Sequence, residues 1–180
     1  MGRQEQRNHL FSNRDLRILL VPLIVEQILN SLMGTADSIM VSNVGSAAIS
    51  AVSLVDSINI LVIQAFYALA AGGTIVCSQY IGQKDRKNAE ESARQLSFVV
   101  ACISSAVMAV CLLTRGPLLR LIFGSVESDV MEAAQIYFFY TALSFPFIAL
   151  YDAGSSIYRA QGNTRLPMTI AVVSNGLNIA

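Results

Sequence analysis

The sequence predicts an all-α, polytopic membrane bundle, and three observations carry that prediction. Of the 180 residues, 54% are hydrophobic and 13% charged, whereas a soluble domain has about 45–50% apolar and about 25% charged residues. Mean hydropathy is +0.55. Apolar runs of membrane-spanning length recur along the chain, and ten of its twelve Lys and Arg residues lie in segments that alternate crossing would put on one side.

A bilayer core about 30 Å thick takes roughly 20 mostly apolar residues in helix. Four runs meet that length: Leu16 to Val44, Val52 to Ile81, Gln95 to Leu113 and Val130 to Tyr158. A fifth starts near Leu166 and is still apolar at Ala180, with room for 15 residues. The short last run, with no polar segment after it, reads as a fragment: the incomplete N-terminal part of a larger bundle. Residues 1–15 form a polar, basic tail and residues 16–180 an N-terminal transmembrane bundle. The run after the tail is too long for a signal peptide, so the tail is expected to be retained.

Orientation follows from the basic residues. The tail and the start of run one hold Arg3, Arg7, Arg14 and Arg17; the loop after run two holds Lys84, Arg86, Lys87 and Arg94; the loop after run four holds Arg159 and Arg165. Only Arg115 and Arg120 lie on the other side. This places the N terminus in the cytoplasm of a multi-pass protein of the cell membrane, with the lipid bilayer as its first partner.

Local chemistry refines the runs. Pro22 lacks an N–H, and its ring crowds the carbonyl one turn earlier, so a bend is expected near Ile18 to Pro22. Ala68, Gly72 and Gly73 form a small-residue patch that would let helices approach closely. The segment RGPLLRLIFGSVESD is amphipathic and is expected along the outer membrane surface.

Composition also excludes functions. Zero net charge argues against a nucleic-acid partner, which needs a basic face. Cys77, Cys102 and Cys111 have no metal-ligand spacing, and His9 is the single histidine. No nucleophile–base pair or metal cluster stands out, so neither an enzyme nor a resident cofactor or metal is expected.

The informative residues are carboxylates inside the runs. A charge at the centre of a span costs about 2.5–3.5 kcal/mol by insertion scales and therefore faces protein or water. Glu26, Asp37, Asp56 and Asp152 are such residues. Glu26, Asn30 and Asp37 share one stripe of the first helix. Run two adds Asp56, Asn59, Tyr67 and Thr74; run four adds Tyr140, Ser144, Tyr151, Asp152 and Ser155. Asn175 and Asn178, three apart in run five, share a face. Asp56 is expected near a helix N-terminus, where free N–H groups would stabilise it. Glu26 and Asp152 are candidate partners of each other. Asp37 is deep, late in its helix and twenty residues from Arg17, the one basic residue of its own run. Apolar burial disfavours the charged form, so Asp37 could exchange a proton near neutral pH; ionised, it could instead hold Na+ through oxygen ligands. Glu26, Asn30, Asp56, Tyr67, Tyr151 and Asp152 are candidate cavity-lining residues.

Taken in order, these features resemble the multidrug and toxic compound extrusion (MATE) transporters. The resemblance runs from Val21 to Ala180 and rests on VPLIVEQILNSLMGTADSIMVSNVG, on SQYIGQKDRKNAEESARQ after a Gly-rich second span, and on RAQGNTRLPM before SNGLNIA. It implies helices one to five of a MATE-type fold, with helix six and the C-terminal bundle absent. It implies an antiporter driven by H+ or Na+ that exports organic, cationic drugs or toxins. On this basis Asp37 matches the family's first-helix aspartate, Asn175 and Asn178 match polar positions of helix five, and Pro22 matches the proline at which helix one bends. Two alternatives stand beside it: a lipid-linked sugar flippase of the same superfamily, which would line its cavity with basic residues, and a non-transporting membrane fragment.

Overall fold

The computed structural model of the chain describes residues 13–43 and 45–179, and of these the side chains of 13, 37, 178 and 179 lie outside the description. Residues 1–12, most of the expected tail, also lie outside it. Five helices follow one another: α1 (Asn13–Ser42), α2 (Ser46–Gly82), α3 (Arg86–Phe123), α4 (Ser128–Ala160) and α5 (Arg165–Ile179). Among the described residues α1 to α4 are long and apolar enough to cross a membrane. A helix satisfies its own backbone groups, which hydrocarbon cannot do for it.

The connections are short and chemically specified. Asp85 caps α3, its Oδ1 accepting from Asn88 N at 3.2 Å. The turn before it closes α2 through Asp85 N to Tyr80 O and Lys84 N to Ile81 O, with Lys84 at φ 59. Gly124 at φ 64 ends α3 and Gly162 at φ 77 turns the chain out of α4; both are left-handed positions that glycine adopts without a Cβ penalty.

Helices α2, α3 and α4 pack against one another and form the core. The buried stripe of α4 is Val130, Ala134, Phe138, Ala142, Phe145, Ala149 and Ala153, at spacings of three and four. It meets Ala51, Val55, Phe66 and Ala70 of α2 and Leu96 and Val100 of α3. Alternating alanine with large residues brings the backbones close, which in lipid replaces the missing hydrophobic drive. Phe66 and Phe145 interlock edge to face, with centroids 6.0 Å apart. Ser104, buried in α3, bonds to its own helix at Val100 O, 2.7 Å.

Helix α1 packs chiefly on α5, with slighter contact to α2, and α5 touches α4. Among the described residues, no Cα of α1 comes within 8 Å of one of α4. The buried stripe of α5 is Pro167, Ala171 and Asn175, four apart.

Three expectations need correction. The segment from Arg115 to Phe123 is not a separate amphipathic element: α3 continues through Pro117, because Leu119 is fully buried and anchors these turns to the core. The small-residue contact of α2 is made by Ala70 and Gly73, not by Ala68 and Gly72, which are exposed; Leu96 of α3 occupies the space beside Gly73. Asp56 is not at a helix N-terminus, since α2 starts at Ser46 and Asp56 sits nearly three turns inside it.

Candidate functional site

The first-helix stripe divides in the structure. Glu26 is buried, only 2% exposed, while Asn30, one turn on, is exposed. Pro22, one turn before Glu26, is buried and α1 runs on through it. Glu26 reaches across to α4, where Arg159 Nη2 donates to its Oε1 at 2.6 Å. The arginine side chain is 24% exposed. Because the two backbones do not touch, this ion pair is a bridge built entirely from long side chains. A second tether lies near it: Thr164 Oγ1, between α4 and α5, donates to Ile18 O of α1 at 3.4 Å.

More charge gathers at the bridge. Asp152 lies seven residues before Arg159, two turns and therefore nearly the same face of α4. It interacts electrostatically with both Arg159 and Glu26, and half-buried Tyr151 lies in the same field. Glu26 Oε2 and Arg159 Nε are buried without a hydrogen-bond partner among the described residues. A 160 Å³ cavity between α4 and α5 reaches Tyr151 and Ser155. With both carboxylates ionised, Glu26, Asp152 and Arg159 together carry one negative charge. The cluster can therefore balance one proton or one monovalent cation, and it has free polar atoms with which to do so.

The remaining candidates separate. Asp56 is half-buried and accepts from Tyr137 Oη of α4 at 3.1 Å and from Asn59 Nδ2 at 3.4 Å, so it ties α2 to α4. Tyr67 is exposed on α2. Asn175 is buried on α5, its Nδ2 donating to Ala171 O of its own helix at 2.9 Å. Asp37 lies on α1 and Asn178 on α5, but both side chains fall outside the described residues.

Glu26 and Asp152 do gather in one cluster, as expected from sequence, but Glu26 is paired with Arg159 rather than with Asp152. Arg159 was counted only as a loop charge. Its seven-residue spacing from Asp152 was the local signal; its pairing with a residue 133 positions away in the chain had none. Tyr137, the partner of Asp56, was likewise not singled out.

Comparison with known proteins is consistent along the chain. Residues 22–180 match the MatE family model. The uncharacterized transporter YisQ of Bacillus subtilis is 31% identical over 160 residues, covering 88% of this chain and 34% of that protein. The probable multidrug resistance protein NorM of Thermotoga maritima is 27% identical over 169 residues, covering 92% of this chain and 35% of that protein. A crystal structure of MATE in complex with MaL6 has the same fold at a TM-score of 0.86 and 22% identity, over 92% of this chain and 36% of that one. The chain thus spans about a third of the length of the curated relatives it matches. It is a multi-pass membrane protein that belongs to the MATE family, and it corresponds to that family's N-terminal portion.

Proposed function

We propose that the chain supplies the N-terminal bundle of a cation-coupled antiporter that exports organic cations across the cell membrane. The observation that carries this reading is the charge of the interior. Glu26 and Asp152 gather carboxylates at one place in the helices, where the nearby Arg159 is taken up by Glu26, and Asp56 adds a separate carboxylate between α2 and α4. Such an interior attracts positive cargo. Among the described residues it offers no free cation for a pyrophosphate, which disfavours the flippase reading. The names of relatives such as NorM, a probable multidrug resistance protein, point the same way.

In this reading residues 1–15 are a cytoplasmic tail and residues 16–180 the bundle, completed by the C-terminal bundle that its relatives' length implies. Asp37 is the coupling carboxylate, with Asn175 and Asn178 as its polar partners from α5, and H+ or Na+ as the coupling ion. Helix α1 is the moving element. It packs lightly on the core, and Pro22 interrupts its hydrogen-bond ladder about two and a half turns from its start.

The test is drug efflux by the full-length protein, measured under imposed proton and sodium gradients with cationic and anionic dyes. Asp37→Asn keeps size and hydrogen-bonding capacity but removes the titrating charge. Efflux of cationic dyes is expected to fall at least tenfold, with membrane insertion near normal. If Asp37→Asn pumps like wild type with unchanged dependence on pH and sodium, Asp37 is structural and the coupling scheme is wrong.

A further inference from the structure

At the end of the core where α2 and α4 finish and α3 begins, a recess of 290 Å³ opens, lined by Cys77, Ile81, Ala89, Ala93 and Ile157 below and by Lys84, Arg86, Glu90 and Gln161 at its mouth. We propose that this recess binds the headgroup of an anionic phospholipid, with the phosphate held by Lys84 and Arg86 and the glycerol and first acyl carbons on the apolar floor.

Three observations carry the assignment. First, the lining is amphipathic in the order a lipid requires, with apolar side chains toward the helix bodies and cations at the helix ends. Basic pockets between transmembrane helices at a membrane face are where acidic headgroups bind. Second, the cations are free. Among the described residues neither Lys84 nor Arg86 forms an ion pair, although Glu90 lies in the same lining. Third, the turn presents a lysine at φ 59, directly after α2, where glycine is the ordinary choice. The N-terminal amides of α3 are not the source of the attraction, because Asp85 already caps them. Two cations and one carboxylate leave a net charge of +1 at the mouth, which favours an anionic over a zwitterionic headgroup. The apolar floor selects lipid over free phosphate. The inference is independent of the transport mechanism, since it concerns binding alone.

Native mass spectrometry of the full-length protein, titrated with phosphatidylglycerol against phosphatidylcholine, tests it. Lys84→Ala and Arg86→Ala are each expected to weaken phosphatidylglycerol binding about 5-fold, and Glu90→Gln to strengthen it. Lys87→Ala removes an exposed charge outside the recess and should change nothing. Ala93→Leu, or Ala89→Leu should the first not fold, keeps every charge but fills the floor, and should abolish the preference. Inorganic phosphate at millimolar concentration should not compete. Equal losses from Lys87→Ala and Lys84→Ala would show a diffuse surface attraction and overturn the site. So would retained binding in both filled variants. Competition by phosphate would overturn the lipid assignment in favour of a free-anion site.

Discussion

Helices α4 and α1 are both apolar and both long enough to cross a membrane, yet they are held in opposite ways. The most apolar stretch of α4 is 28% buried within the chain, against 11% for α1. Helix α4 is fixed by shape: alanines let α2 and α3 approach, and Phe138 and Phe145 fill what remains. Helix α1 leaves Val21, Ile24, Ile28 and Leu32 exposed and is joined to α4 by an ion pair and to the α4–α5 turn by one hydrogen bond. Packing acts through many small contacts and resists displacement in every direction. A pair of charges acts at one point and can be switched by a change of charge. The difference teaches that a membrane bundle can combine a rigid frame with a helix on a polar tether, using the same residue classes in different spacings.

The largest expected effect comes from breaking the frame. Phe145→Ala leaves a void against Phe66. In a bilayer the unfolded chain stays among apolar tails, so the transfer gain that dominates in water is mostly absent and the cavity remains. A void of roughly 100 Å³ at about 24 cal/mol per Å³ costs about 2–3 kcal/mol. Ile28→Ala on α1 removes a comparably apolar side chain from an exposed face and should stay within about 0.5 kcal/mol. Thermal unfolding of the two variants in detergent checks both numbers. Equal losses would mean that α1 is packed as firmly as α4.

The tether comes next. Glu26→Gln removes the carboxylate bonded to Arg159 and leaves the mostly buried arginine only the more distant charge of Asp152. Breaking a buried pair by one partner costs about 3–5 kcal/mol, and the partial exposure of Arg159 lowers this to about 2 kcal/mol here. Replacing both partners, as Glu26→Leu with Arg159→Met, should recover most of the stability, since apolar pairs match buried ion pairs in energy. Proteolysis or thermal unfolding reports the stability, and spin-label distances between α1 and α4 report the tether. The double variant should be stable but have a broader distance distribution. A distribution as narrow as wild type would show that α5, not the ion pair, positions α1.

The frame was largely legible in the sequence and the tether was not. Apolar runs locate all five helices, because hydropathy is a local signal. The exceptions have physical causes. The residues SAAIS are weakly apolar but helix-compatible, so hydropathy alone starts α2 too late and makes Asp56 look like a terminal carboxylate. Pro117 and its neighbouring arginines read as the end of α3, yet burial of Leu119 carries the helix past them. The ion pair joins residues far apart in the chain, and no periodicity within one helix reports which helix lies opposite. The stripe of Glu26, Asn30 and Asp37 was correctly identified as polar, but tertiary packing buries Glu26 and leaves Asn30 exposed.

The smallest effect gives the finest measure of the frame, because adjacent glycines of α2 should respond with opposite signs. A Cβ at Gly72 meets nothing within 4 Å. Alanine there gains only helix propensity, about 0.5–1 kcal/mol of stabilisation. A Cβ at Gly73 would run into the side-chain end of Leu96 on α3. The same propensity gain is then opposed by overpacking, which costs about 1–3 kcal/mol, leaving Gly73→Ala destabilised by about 1 kcal/mol. If the collision is the cause, shortening the opposing residue should remove it. Leu96→Ala alone opens a void, but in the Gly73→Ala, Leu96→Ala pair the new methyl partly fills it. The double variant should therefore be more stable than the sum of the single changes by about 1 kcal/mol. Thermal unfolding of the four proteins measures that coupling directly. Additive changes would mean that Leu96 swings away at no cost and that the α2–α3 contact is looser than its geometry implies.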